Sequence, residues 1–143
     1  MLTKPHWEHL IPHRGAMCLL DIVVAWDDAG IRARTASHRD PRNALRSDDM
    51  LRSVHLCEYG AQAMAIHGGL LAQRDGRAVM PGLLVSLRAV TLHVARIDDL
   101  SGDLDVYAQK LLDSGSSWQY EFRIEQRTQL LAQGRAAVIS GSY

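Results

Sequence analysis

The sequence has little of what would mark several common classes of protein. Its 143 residues include sixteen basic and sixteen acidic side chains, and this zero net charge disfavours a general nucleic-acid binder. The two cysteines, Cys18 and Cys57, lie in apolar surroundings without a metal-binding spacing, so we expect reduced, buried thiols. No apolar run reaches the roughly 20 residues that cross a bilayer, and residues 1–7 lack a signal pattern. These absences favour a soluble, cytoplasmic protein with one domain over residues 1–143.

Alternation of apolar and polar residues covers much of the second half of the chain. The segments 83–94, 103–112 and 130–139 are typical of strands, and residues 118–125 alternate most clearly. Nearer the start, segments 18–26 and 30–37 flank a turn signal at residues 27–30, which predicts a hairpin.

One long helix is expected between residues 50 and 67. Ser47 is a suitable N-cap, and Gly68 and Gly69 form a suitable C-terminal stop. The segment is apolar on nearly every side, which is typical of a buried helix, and its small residues allow close approach of neighbouring backbone. We therefore predict an α+β domain in which an antiparallel sheet curves around one central helix, with Glu58 buried on it.

Two short motifs carry groups suited to proton transfer. The first, Leu10-Ile11-Pro12-His13-Arg14-Gly15, places an imidazole on a loop, and imidazole titrates near neutral pH. The second, Glu58-Tyr59-Gly60-Ala61-Gln62, places a carboxyl group on the helix, where apolar neighbours would help it to hold a proton. The pair is a candidate base and acid for an elimination reaction.

The order and spacing of these motifs resemble those of the 3-hydroxyacyl-[acyl-carrier-protein] dehydratases, which have the hotdog fold. The helix motif, continued through Ala63-Met64-Ala65-Ile66-His67-Gly68-Gly69, is most similar to the dehydratase branch of aryl polyene lipid clusters. The resemblance covers essentially the whole chain. It implies dehydration of 3-hydroxyacyl thioesters to trans-2-enoyl thioesters on an acyl carrier protein, without a metal or redox cofactor. It also implies that His13 is the base and Glu58 the acid, contributed by different subunits of a dimer.

Three further residues are candidates for substrate binding. Ser53 stands where the family has a glycine whose N–H polarises the thioester carbonyl, and Met80-Pro81-Gly82 comes after the helix and is not that element. Gln62 lies one helical turn beyond Glu58 and is placed to orient its carboxyl group or to face the surface. His55 either lines the site or is a core histidine, and His67 is expected to be a cationic residue at the helix end.

Some alternatives remain open. Arg39, Arg42, Arg46 and Arg52 could meet an acidic carrier protein, or could form a solvated charged face. The chain could be a hotdog thioesterase that uses a helix carboxylate. It could also be a non-catalytic partner of another hotdog subunit, since the glycine is missing. An unpaired strand edge in a lone hotdog favours a homodimer or a hetero-oligomer.

Overall fold

One α-helix and one seven-stranded antiparallel sheet make up the regular structure of residues 1–80 and 82–140, the part that the computed structural model describes. The helix is α1 (Leu56–Arg74), and the strands are β1 (Leu2–Thr3), β2 (Ile22–Trp26), β3 (Gly30–Thr35), β4 (Gly82–Leu92), β5 (Leu104–Asp113), β6 (Ser117–Gln126) and β7 (Gln129–Ser140). Pro81 of the Met80-Pro81-Gly82 segment and residues 141–143 of the expected domain lie outside the described residues.

The sheet has the order β1-β2-β3-β5-β6-β7-β4, so β4 occupies one edge although it precedes β5 in the chain. The four strands predicted in the second half are confirmed within a few residues, and so is the β2–β3 hairpin. Strand β1 was not predicted, and β2, which was expected over residues 18–26, is shorter and begins at Ile22. The reason is that the backbone N–H groups of Leu19 and Leu20 bond to a helix side chain and not to a neighbouring strand.

The predicted bounds of the helix are wrong at both ends. Ser47 is not its N-cap, because residues 47–50 form a tight turn in which Asp48 and Asp49 have left-handed φ angles of 53° and 59°. The chain enters α1 later, through a 3-10 turn at Ser53–His55. The helix also continues past Gly68 and Gly69 to Arg74. Neither α1 nor any other helix among the described residues is long and apolar enough to span a bilayer.

Glycine allows α1 to lie close to its neighbours at two points. A Cβ added at Gly60 would lie 2.6 Å from Cδ2 of Phe122, a fully buried residue of β6. A Cβ at Gly69 would lie 2.8 Å from Cβ of Leu10, in the segment before the His13 loop. Gly69 therefore belongs to a packing contact and does not end the helix, although glycine weakens a helix by about 1 kcal/mol relative to alanine.

The sheet covers only one side of α1. Tyr59, Ala63 and Ile66 on the covered side are fully buried. On the other side Val54 is 54% exposed and Glu58 is exposed as well. The predicted sheet around one central helix is therefore confirmed, whereas the predicted burial of Glu58 is wrong for the single chain.

Both cysteines are free thiols, as expected, but only Cys18 is buried and Cys57 is half-buried. Burial raises the pKa of both thiols. A raised pKa keeps a thiol protonated and unreactive near neutral pH. Neither cysteine is therefore placed as a nucleophile by its surroundings.

His67 is a buried link between α1 and the sheet and not a cationic helix-end residue. Its side chain has no exposed surface, and its ring lies edge-on to Tyr120. Nε2 is 2.8 Å from the backbone oxygen of Asp27, and Nδ1 is 2.8 Å from the Tyr120 hydroxyl. These partners suit a neutral ring that donates through Nε2 and accepts at Nδ1. Burial accordingly lowers the pKa of His67.

This arrangement predicts a loss of stability in mild acid. The pKa of His67 is lower in the folded chain than in the unfolded chain, so below pH about 6.5 the unfolded chain binds the extra proton. The contribution of His67 is complete above that pH, and below it falls by up to about 1.4 kcal/mol per pH unit. Urea unfolding at fixed protein concentration between pH about 7.5 and 5.5 measures this slope, which should be shallower in His67→Gln. Equal slopes for the variant and the wild type would contradict the prediction, as would ring resonances of His67 that titrate near pH 6.5.

Candidate active site

The residues that lead into α1, 51–53, are hydrogen-bonded to residues 95–98. The N–H of Ile97 donates to the oxygen of Leu51 over 2.9 Å, and the N–H of Leu51 donates to Oδ1 of Asp98 over 2.9 Å. The Arg96 guanidinium beside Asp98 holds the pKa of that carboxyl well below its usual range. Asp98 therefore remains an acceptor across the physiological range, and the start of the helix has a fixed position.

Ser53 does not offer its backbone N–H to a ligand. That N–H donates to the oxygen of Ala95 over 3.1 Å, and the Ser53 side chain is buried. The next N–H along the chain, that of Val54, has no acceptor among the described residues. Since the first N–H groups of a helix lack partners within it, Val54 is the better candidate donor to a thioester oxygen.

Glu58 lies in the first turn of α1, four residues after Val54, which belongs to the 3-10 turn that precedes the helix. Its side chain is exposed in the single chain, contrary to the predicted burial. The apolar residues that share this face, Ala61 and Ala65, are half-buried. The Glu58 carboxyl group thus lies on a helix face that the sheet of the same chain leaves uncovered, and the Val54 N–H lies in the turn that leads into this helix.

His13 lies in the loop between two 3-10 turns, Glu8–Leu10 and Gly15–Met17. The guanidinium of Arg14 braces this loop by donating to the backbone oxygens of Glu8, Ile11 and His13. The His13 ring is half-buried, and its Nδ1 is enclosed without a hydrogen-bond partner among the described residues. Within one chain, the described contacts include no hydrogen bond between His13 and Glu58.

Gln62 does not orient Glu58. It is 1% exposed, and its amide is bonded entirely to the backbone that follows the His13 loop. Oε1 accepts from the N–H groups of Leu19 and Leu20 over 2.7 and 3.2 Å, and Nε2 donates to the oxygen of Met17 over 2.8 Å. Gln62 therefore joins α1 to the segment that carries the imidazole.

A second polar contact to the same segment was not predicted from the sequence. The oxygen of Leu19 accepts from Oγ1 of Thr35 over 2.6 Å and from Oγ of Ser37 over 2.7 Å. Oγ of Ser37 is 2.9 Å from the hydroxyl of Tyr59, which in turn accepts from Asn43. Burial raises the pKa of Tyr59, so its hydroxyl keeps the proton that it donates. The only sequence signal was a tyrosine three residues before Gln62 on a buried helix.

The remaining site candidates are less distinctive. His55 is half-buried where the 3-10 turn passes into α1, and its ring has no hydrogen bond among the described residues. Three of the four arginines considered for a carrier protein are paired with acidic residues: Arg39 with Asp103, Arg42 with Asp40 and Arg52 with Asp48. Arg46 donates to the backbone oxygen of Asp49. These local partners weaken the case that the four arginines bind an acidic carrier protein.

The fold defines the class of protein, a hotdog domain, and solved structures agree. A chain of the dehydratase heterocomplex ApeI:P from Xenorhabdus doucetiae is 24% identical, with a TM-score of 0.84 over 94% of this chain and 90% of that chain. A hypothetical thioesterase with coenzyme A from Streptococcus pneumoniae TIGR4 is 10% identical, with a TM-score of 0.61 over 85% of each chain. These likenesses confirm the predicted fold. No curated protein matches the chain.

A comparison with family models assigns the chain to one family within this fold. A family model for ApeP-like proteins, described as ApeP dehydratase, matches residues 5–142. The chain therefore belongs to the ApeP-like dehydratase family, and the resemblance to the aryl-polyene-cluster dehydratases is confirmed.

Proposed function

We propose that this protein dehydrates 3-hydroxyacyl thioesters on an acyl carrier protein to trans-2-enoyl thioesters, in fatty acid or aryl polyene lipid biosynthesis. The observation that carries the proposal is the exposed face of α1, where Glu58 follows a free helix N–H within a chain of a dehydratase family. The substrate implies a cytoplasmic protein that meets a phosphopantetheine-linked acyl group. The chemistry uses His13, Glu58 and the N–H of Val54, and it requires no metal or redox cofactor.

Each proposed group has one task. The neutral imidazole of His13 takes a proton from C2 of the substrate, while the N–H of Val54 donates to the thioester oxygen as negative charge develops there. The C3–O bond breaks as the carboxylic acid of Glu58 gives its proton to the hydroxyl, which leaves as water. The reaction ends with a protonated His13 and an ionised Glu58, so proton exchange must restore the pair before the next cycle.

A second hotdog chain would complete this site. Strand β4 is at the sheet edge, and its apolar side chains are exposed on both faces: Leu83, Leu84, Val85, Leu87, Val90 and Leu92. The face of α1 with Glu58 is uncovered as well. A long apolar edge strand is a ready site for pairing with another chain, and a dimer would bury both surfaces. We therefore propose a homodimer or a hetero-oligomer with another hotdog subunit, with His13 and Glu58 of one site on different chains.

An assay of the purified protein on a 3-hydroxyacyl carrier-protein thioester tests the activity. We expect an enoyl thioester as product, identified by mass as the substrate less one water, with no thiol released. The same substrate lacking the 3-hydroxyl group is the control and should not react. Release of free thiol from either substrate would contradict the proposal and support a thioesterase, as the likeness to the Streptococcus pneumoniae protein suggests.

A non-catalytic subunit is the second candidate. The observation that favours it is the bond between the Ser53 N–H and Ala95, because the group that the family uses to polarise the thioester is occupied here. The similar Xenorhabdus doucetiae chain comes from a heterocomplex. Under this alternative the purified chain is inactive, co-purifies with a second hotdog chain, and His13→Ala leaves the activity of the complex unchanged.

A further inference from the structure

Two buried contacts, one on each side of His13 in the chain, attach the segment that carries this residue to α1. At one point the Gln62 amide holds the backbone of Met17, Leu19 and Leu20 through three hydrogen bonds. At the other, Leu10 packs directly against Gly69. The His13 loop spans the interval between these points, so the position of the imidazole depends on both of them.

The attachment at Gln62 is rigid because the peptide group between Leu19 and Leu20 is held from two sides. Gln62 accepts from its N–H, that of Leu20, while Thr35 and Ser37 donate to its oxygen, that of Leu19. Ser37 is itself bonded to Tyr59, which lies three residues before Gln62 on the same helix. A buried amide that satisfies its donors and acceptors in this way is costly to leave unpaired, so the segment has one strongly preferred position.

We propose that Gln62 is a positioning residue that sets the place of the His13 base relative to α1, and through α1 relative to the acid Glu58. It acts through the Met17–Leu20 backbone and does not touch the substrate. The inference rests on the proposed dehydration. Gln62 and Glu58 are one turn apart on a single rigid helix, so the element that presents the acid also holds the loop of the base. In a symmetric dimer, the helix of each chain would then fix both catalytic groups of that chain.

The experiment compares Gln62→Met, which keeps the length of the side chain but removes all three bonds, with Gln62→Glu, which keeps an acceptor for the Leu19 and Leu20 N–H groups. We expect kcat of Gln62→Met to fall by about 10- to 100-fold with KM changed by less than about threefold, because a displaced base costs rate and not binding. Gln62→Glu should recover part of the loss. Amide hydrogen exchange at Leu19 and Leu20 should speed up in Gln62→Met while the amides of β5 and β6 stay protected.

The matched control is Gln73→Met on the same helix. Gln73 is exposed, and its amide nitrogen lies 3.4 Å from the His9 ring of the same segment. We expect wild-type kcat and wild-type exchange at Leu19 and Leu20 for this variant.

Several outcomes would overturn the proposal. Wild-type kcat in Gln62→Met would do so, and so would a uniform loss of protection across the sheet, which would indicate a general effect on stability. An inactive wild-type protein would refute the proposed function separately. In that case the ring resonances of His13 decide the question: a change in Gln62→Met but not in Gln73→Met supports positioning, and no change in either contradicts it.

Discussion

His13→Ala and Glu58→Gln are each expected to reduce the rate of enoyl thioester formation by about 10²- to 10⁴-fold, the usual contribution of a general base or acid. Both substitutions are conservative for the fold, because the His13 ring has no hydrogen bond to any residue that the structure describes and the Glu58 side chain is exposed. His9→Ala, in the same segment, and Glu121→Gln, on the exposed face of β6, are the controls and should keep wild-type rates. Wild-type activity in either His13→Ala or Glu58→Gln would remove that residue from the mechanism.

Mixing these two inactive variants should restore activity. If each site takes His13 from one chain and Glu58 from the other, a mixed dimer has one intact site and one site that lacks both groups. Equal amounts that assort randomly give mixed dimers in about half of the population, so about a quarter of wild-type activity should return. The subunits can be mixed by co-expression with two different tags, and the mixed dimers can then be isolated. Background activity in these dimers would show that the site lies within one chain or that another partner is required.

The position of the His13 segment supports the arrangement across two chains. Its two attachment points, Gln62 and Gly69, are four and eleven residues beyond Glu58 on α1, and each residue of a helix adds about 1.5 Å along its axis. The segment therefore lies beside the part of the helix that is about 6 to 16 Å beyond Glu58 of the same chain, measured along the helix axis. The exposed Glu58 is thus open to an approaching partner.

Apolar runs and alternating segments were sufficient to predict strands β3 to β7, because they are local patterns that packing did not override. They did not predict β1, and they extended β2 to residue 18. The predicted helix bounds were wrong because the residue types that mark helix ends also occur in turns and in close packing contacts. Asp48 and Asp49 are typical of a helix start, but here they form a left-handed turn. Gly69 is typical of a helix end, but here it admits Leu10. The local sequence does not show which distant residue, such as Leu10, packs against a given position of the helix.

The candidate site was predictable in its parts but not in its connections. Helical spacing puts Ala61 and Ala65 on the face of Glu58, but Leu51 and Val54, which the same spacing assigned to that face, precede the helix. The spacing also could not show that the sheet leaves the face of Glu58 uncovered. The partners of Gln62 are more than forty residues away in the chain, so local spacing offered only a bond to Glu58 or a surface position. Long-range contacts of this kind depend on the assembled fold.

Gly60→Ala is expected to destabilise the fold through Phe122. The added methyl group would lie 2.6 Å from Cδ2 and 2.7 Å from Cγ of a fully buried ring, and overpacking of a core typically costs about 1–3 kcal/mol. The higher helix propensity of alanine offsets about 1 kcal/mol of this cost. Gly69→Ala in the same helix gains the same propensity but meets Leu10. Gly69 lies about 13 Å further along α1 than Gly60. At this distance substitutions usually do not couple, so Gly69→Ala should act independently of Phe122.

Combining each glycine variant with Phe122→Ala separates the two contacts. Because alanine lacks Cγ and Cδ2, the ring atoms nearest Gly60, the free energy of unfolding of Gly60→Ala/Phe122→Ala should exceed the additive value by about 1–2 kcal/mol. The pair Gly69→Ala/Phe122→Ala should be additive within about 0.5 kcal/mol. Urea unfolding at one fixed protein concentration measures both cycles in the assembled protein. Additivity in both would mean that α1 does not press on Phe122 at Gly60, and the site face of the helix would then be free to shift relative to the sheet.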